Sequence, residues 1–209
     1  MKRAVLVAVL VSVVIGNGLA RISDAAIKDS KHDMSKVAGV TMPDSQTCIA
    51  CHTPHNADVT TNDAPLWNHT NSSEAYTMYS SPTFDGDIAA SPTGVSKLCM
   101  ACHDGTVAVD AFGGMTHGNV KIGAIGTGSG NLGLNLKKSH PVSFDYNDAL
   151  ATTDGELAKP SETPLIQKWV KNGRFECSSC HDVHNNTGIA KMLNASNTGS
   201  ALCITCHKK

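Results

Sequence analysis

All eight cysteines of this 209-residue chain, and four of its ten histidines, stand in one repeated arrangement. Cys48/Cys51/His52, Cys99/Cys102/His103, Cys177/Cys180/His181 and Cys203/Cys206/His207 each read C-x-x-C-H. Two thiols one helical turn apart can form thioethers to the two vinyl groups of a single porphyrin, and the adjacent imidazole then lies under the iron as proximal ligand. The spacing predicts four covalently attached haem c groups. With 10 His among 209 residues, a His follows a given Cys about one time in twenty, so four in four is on the order of a few per million by chance. Paired C-x-x-C knuckles also build zinc ribbons. Zinc would account neither for the four histidines nor for the export signal described below.

The sites are not equivalent. The first continues as Cys51-His52-Thr53-Pro54-His55-Asn56 and the third as Cys180-His181-Asp182-Val183-His184-Asn185, so both read C-x-x-C-H-x-x-H-N. The second and fourth lack the extra His but are entered alike, through Ser96-Lys97-Leu98 and Ser200-Ala201-Leu202. Each half also carries a His upstream of its first site, His32 and His140. This pattern reads as a divergent doubling of one two-haem unit. Each unit then offers two proximal and two spare histidines. On a helix, His55 would share a face with His52, and His184 with His181. Neither could reach the far side of its own porphyrin, so each should bind the iron of a neighbouring haem. His32 and His140 would complete the other two irons, making all four bis-histidine. His69 and His117 match nothing in the other half and are weaker distal candidates. Met34, Met42, Met78, Met100, Met115 and Met192 could serve as sixth ligands, but the supply of His makes packing the better reading.

The elements that must position these groups look sparse. Aromatic content is 4%, thin for a core of this length, so four porphyrins are expected to supply the missing flat apolar bulk. Abundant Gly, Ser, Thr and Asn favour loops. The expected fold is mostly irregular, with short α-helices packed around a chain of four haems and little or no β-sheet. A short helix is expected over 165–170, and Pro65 to His69 with Tyr76 and Tyr79 should pack on a haem face. Formal net charge is −1, which implies neither nucleic acid nor an acidic membrane surface as partner. Residues 1–20 read as a secretory signal, with Lys2 and Arg3 before an apolar run from Ala4 to Ile15 and a cut as late as residue 25. No membrane span is expected after cleavage. Eight cysteines in an exported chain would suggest disulfides, but all are needed for thioethers. The expected organisation is a first di-haem unit over 21–112, a Gly-rich loop over 113–133 and a second di-haem unit over 134–209. Gly128, Gly130 and Gly133 spell G-x-G-x-x-G, yet no convincing strand precedes them and Pro141 follows where a helix should run, so no dinucleotide site is expected.

The chain resembles the exported multihaem c-type cytochromes with a doubled C-x-x-C-H motif and, within them, the OmcE-type tetrahaem cytochromes that form extracellular filaments. The resemblance runs from His32 to His207. It is carried by His32-Asp33-Met34-Ser35, Cys51-His52-Thr53-Pro54-His55-Asn56, Pro65-Leu66-Trp67-Asn68-His69, Leu98-Cys99-Met100-Ala101-Cys102-His103-Asp104-Gly105, Ser139-His140-Pro141-Val142 and Cys180-His181-Asp182-Val183-His184-Asn185. It implies self-association into filaments, with one distal His crossing to a haem of the next subunit. His32 on its N-terminal arm is the favoured donor.

Three functions follow in order. The first is electron transfer along closely stacked haems, with no enzymatic role, between redox partner proteins or toward an extracellular acceptor. A periplasmic or a cell-surface location would each fit. The second is a discrete periplasmic shuttle with the same chemistry. The third is a multihaem reductase for nitrite or a similar oxyanion, which would need an iron with an open position.

Overall fold

The computed structural model describes residues 27–43, 46–114, 118–125 and 130–208. The expected export signal at 1–20, His117, Met115 and Gly128 lie outside these described residues. The chain is mostly coil, as its composition predicts. Four short α-helices are described: α1 Gly94–His103, α2 Asp148–Asp154, α3 Pro164–Trp169 and α4 Ala201–Cys206. A two-stranded antiparallel sheet pairs β1 Phe144–Asp145 with β2 Arg174–Phe175. Isolated helices this short are marginal in water, so capping and packing must hold them.

Each helix has a local cause. Asn147 caps α2 by accepting from the backbone N–H of Leu150, and Gly155 ends it in the left-handed conformation. Pro164 occupies the first turn of α3, where its missing N–H costs nothing. The helix expected over 165–170 is therefore present, one residue earlier at each end. In the sheet, Phe144 stands opposite Phe175 with ring centres 5.2 Å apart, and Arg174 Nη1 donates to Asp145 Oδ1 at 2.7 Å.

The main apolar cluster lies in the second half. Phe144, Tyr146, Leu150, Ala151, Ile166, Val170 and Phe175 pack together, with Cys180 and Cys206 against their edge. Two of the C-x-x-C-H motifs thus border this apolar cluster.

One expectation fails. The residues after His52 and His181 are not helical, so His55 and His184 do not share a helix face with them. Pro54 disfavours the helical conformation at Thr53. Asp182 instead draws the N–H groups of His184 (3.0 Å) and Asn186 (2.8 Å) onto its carboxylate, which competes with a helix. Asn56 and Asn185 both follow in the left-handed region, at φ 58° and 54°.

Candidate haem-binding sites

The backbone of the C-x-x-C-H segments is tightly wound. In the first, the N–H groups of Cys51 (3.2 Å) and His52 (2.9 Å) both donate to the Cys48 carbonyl. In the third, those of Cys180 (3.2 Å) and His181 (3.0 Å) both donate to that of Cys177. The second lies at the end of α1 and the fourth within α4.

The first and third sites repeat atom by atom beyond the motif. In each, a returning segment pairs with the motif His: Trp67 bridges to His52, and Leu193 to His181. Asn68 N donates to the Cys51 carbonyl and Asn194 N to that of Cys180, both at 2.9 Å. The Asn side chains reach the preceding residues, Nδ2 of Asn68 to the Ile49 carbonyl at 2.5 Å and Nδ2 of Asn194 to that of Ser178 at 2.8 Å. The ring Nδ1 of His52 faces the Pro65 carbonyl (2.5 Å), and that of His181 the Lys191 carbonyl (3.0 Å).

That last contact recurs. His103 Nδ1 meets the Gly130 carbonyl at 2.9 Å and His140 Nδ1 that of Pro141 at 2.8 Å. A carbonyl accepting from Nδ1–H fixes the tautomer and leaves the Nε2 lone pair free to bind a metal. At His103 the Gly-rich stretch supplies the acceptor, a role the sequence did not reveal. Gly130 sits at φ +78°, and a Cβ there would lie 3.1 Å from the His103 ring.

Three of the four motif histidines face one spare histidine each. Ring centres are 6.0 Å apart for His103 and His32, 6.0 Å for His52 and His184, and 6.3 Å for His207 and His140. Metal–imidazole bonds of about 2 Å, plus roughly 1.1 Å from each nitrogen to its ring centre, put two axial rings on one iron about 6 Å apart. Burial, then the neighbouring His103, His181 and His184, push the His32 imidazole down to about 4, so it is neutral near pH 7. Its Nδ1 lies 2.9 Å from Met192 Sδ. His32 thus packs against Met192 of its own chain.

The remaining histidines differ. His55 is exposed, and no ring lies opposite it among the described residues. His181 has its Nδ1 acceptor but no ring opposite at this spacing among the described residues. His69 is buried, with Nδ1 donating to the Thr70 carbonyl at 2.8 Å and Nε2 facing the Ala108 carbonyl (3.0 Å) and the Cys102 thiol (3.5 Å).

The sulfurs give the spatial order of the motifs. Cys102 lies within electrostatic reach of Cys51, Cys99 of Cys177, and Cys180 of Cys206 and Cys203. Each motif therefore sits beside the next, first to fourth.

The residues present fit haem better than zinc. Among the described residues, no three His, Cys, Asp or Glu converge as a metal site, whereas structural zinc needs four converging ligands. The buried indole N–H of Trp67, bridged to His52, finds no acceptor in the polypeptide. A buried donor left unpaired is costly, and a haem carboxylate is the kind of acceptor it lacks.

Residues 168–209 match the family described as the doubled CXXCH motif. The matched segment holds the third and fourth sites and supports a multihaem c-type cytochrome with covalently bound haem c and a role in electron transfer. No curated protein matches the chain. Among the described residues, no helix is long and apolar enough to cross a membrane.

Proposed function

We propose that this chain is an exported tetrahaem cytochrome that passes electrons along closely spaced bis-histidine haems and polymerises into an extracellular conducting filament. The eight motif cysteines would anchor four haems. His52, His103, His181 and His207 would be the proximal ligands, and His32, His140 and His184 three of the distal ones. Haem c, when bound, supplies a one-electron iron couple.

The observation that carries this reading is the set of three motif–spare ring pairs at 6.0 to 6.3 Å. An iron with protein imidazoles on both sides has no position left for substrate, so electron exchange is what remains to it. The sequential contact of the motif sulfurs supports a single file of four carriers.

Polymerisation rests on the leftover pair. His184, three residues past the third motif, lies opposite His52 of the first. His55, at the same offset past the first motif, would by the same rule close His181 of the third motif in another copy. Exposed apolar residues lie beside both His55 and His181. Val59, four residues past His55, is 92% exposed, Leu66, whose carbonyl accepts from the Thr53 N–H, is 57% exposed, and Val183, two residues past His181, is 42% exposed.

The test is the mature holoprotein, weighed and then followed by EPR during assembly. Four added haems are expected, with one high-spin haem in four while the protein is dispersed and none once it polymerises. Monodisperse small particles with all four haems low-spin would favour the discrete shuttle. His181 also supports the reductase reading, because an unpaired proximal His is what a substrate-binding iron would have. A high-spin signal that survives polymerisation and responds to nitrite would favour it over a pure conductor.

A further inference from the structure

One carboxylate ties together the two motifs that meet across the boundary between the halves. Glu176, directly before Cys177, is only 6% exposed. Its Oε1 accepts from Thr93 Oγ1 at 2.9 Å and its Oε2 from Ser143 Oγ at 3.0 Å. Ser143 Oγ in turn accepts from the Thr93 N–H (3.0 Å), and Arg174 Nη2 donates to Thr93 Oγ1 (2.9 Å). Arg174 Nε stands 3.8 Å from Oε1. The Glu176 N–H donates to Ser179 Oγ at 3.1 Å, fixing the turn that carries Cys177 and Cys180.

Three segments far apart in sequence converge here. Thr93 is the residue from which α1 starts, and α1 carries Cys99, Cys102 and His103. Ser143 follows His140. Beside the network, the N–H of Cys177 donates to the buried Ser96 of α1 at 2.9 Å. A buried carboxylate is tolerated only when paired and hydrogen-bonded. Here two hydroxyls donate to it and a guanidinium lies near it. The matching position before the first motif is Thr47, whose hydroxyl reaches Cys48 Sγ at 4.0 Å and no second motif. The carboxylate therefore belongs to the interior junction, not to the motif as such.

We infer that Glu176 is a positioning residue for the second-to-third haem step: it locks these two motifs in register across the boundary between the halves and places a buried negative charge beside both cofactors. This rests on the tetrahaem reading. Charge and burial near a haem are levers on its potential, and a nearby anion favours the oxidised iron.

The experiment compares the wild-type holoprotein with Glu176→Gln, Thr93→Val and Glu176→Asp. Each is weighed for haem content, titrated by spectroelectrochemistry, and followed by fast photoreduction. Glu176→Gln is expected to keep four low-spin-competent haems, shift two of the four potentials positive and slow redistribution between the halves severalfold. Thr93→Val keeps the charge but loosens the tie, so it should slow redistribution without the positive shift. Glu176→Asp should restore the potentials more than the rate. Four potentials unmoved in Glu176→Gln, or all four moved together, would overturn the inference. If Glu176→Gln fails to mature, unchanged redistribution in Thr93→Val would overturn it instead. A wild-type mass with fewer than four haems would sink the underlying tetrahaem reading, which is a separate failure.

Discussion

The first and third motifs share a sequence pattern and a backbone, yet their spare histidines meet different fates. His184 lies opposite the ring of His52 at 6.0 Å, whereas His55 is exposed. Nothing local explains this, because the turns, the Asn in the left-handed region and the returning Asn68 and Asn194 segments correspond. The difference lies in what each site adjoins. The third motif projects its extra His onto the first, and the first, at the outer end of the file, has no motif beyond it in the same chain. With one such contact made inside the chain, one reaching group, His55, and one receiving group, His181, are left without a facing ring among the described residues.

The largest expected effect comes from deleting one member of that comparison. His184→Ala removes the ring opposite His52 within the chain, so its spectral change should appear in dispersed and assembled protein alike. His55→Ala should leave dispersed protein spectrally unchanged and abolish filament growth in negative-stain images. Equal behaviour of the two variants would break the proposed equivalence between the internal and intermolecular contacts.

Much of this was legible in the sequence, and for identifiable reasons. Thioether spacing is a local covalent demand, so Cys48 to His52 and its three counterparts stand out without a fold. The pairing of first with third sites was readable from His55-Asn56 and His184-Asn185. The returning segments were not, since Leu66-Trp67-Asn68 and Met192-Leu193-Asn194 have only Asn in common and match through backbone hydrogen bonds. The helix expected after each motif failed because Pro54 and Asp182 redirect the chain, which a spacing argument ignores. Glu176 gave no signal because its partner Thr93 is 83 residues away.

The shared Asn offers a smaller contrast in stability. Asn194 Nδ2 donates to the carbonyls of both Ser178 (2.8 Å) and Ser179 (3.1 Å), whereas Asn68 Nδ2 is seen on Ile49 alone. A hydrogen bond of this kind contributes about 0.5–1.5 kcal/mol net. Asn194→Ala should therefore fall toward the upper end and Asn68→Ala toward the lower, as read by denaturant midpoints of the holoproteins. The reverse order would show that the first site is the more tightly held.

Acid should separate the halves further. The hydroxyl of Thr60, then that of Thr61, with the Thr60 N–H and the Asn71 amide, hold the Asp58 carboxyl well below the usual carboxylate range. Its folded value is depressed, so its stabilisation is present above the ordinary unfolded value near 4 and is lost as pH falls below it. The equivalent position in the second half is Thr187, which donates to the Leu193 carbonyl at 2.7 Å and does not titrate. On lowering pH below 4, amide exchange should accelerate around 58–71 before 187–194. Asp58→Asn should abolish that difference.

The smallest effect tests what the two returning segments do with a strained residue. Leu66 and Met192 both sit at φ 55°, where a side chain costs roughly 1–2 kcal/mol that glycine avoids. Glycine gives back about 0.5–1 kcal/mol through the freer unfolded chain. Leu66 is 57% exposed, so Leu66→Gly sacrifices little burial and should leave stability unchanged or higher by a few tenths of a kcal/mol. Met192→Gly gains the same relief but loses the sulfur against His32 Nδ1 at 2.9 Å, so it should come out destabilised and loosen the ring facing His103. A matching gain in both variants would mean that the Met192 contact contributes nothing to holding His32.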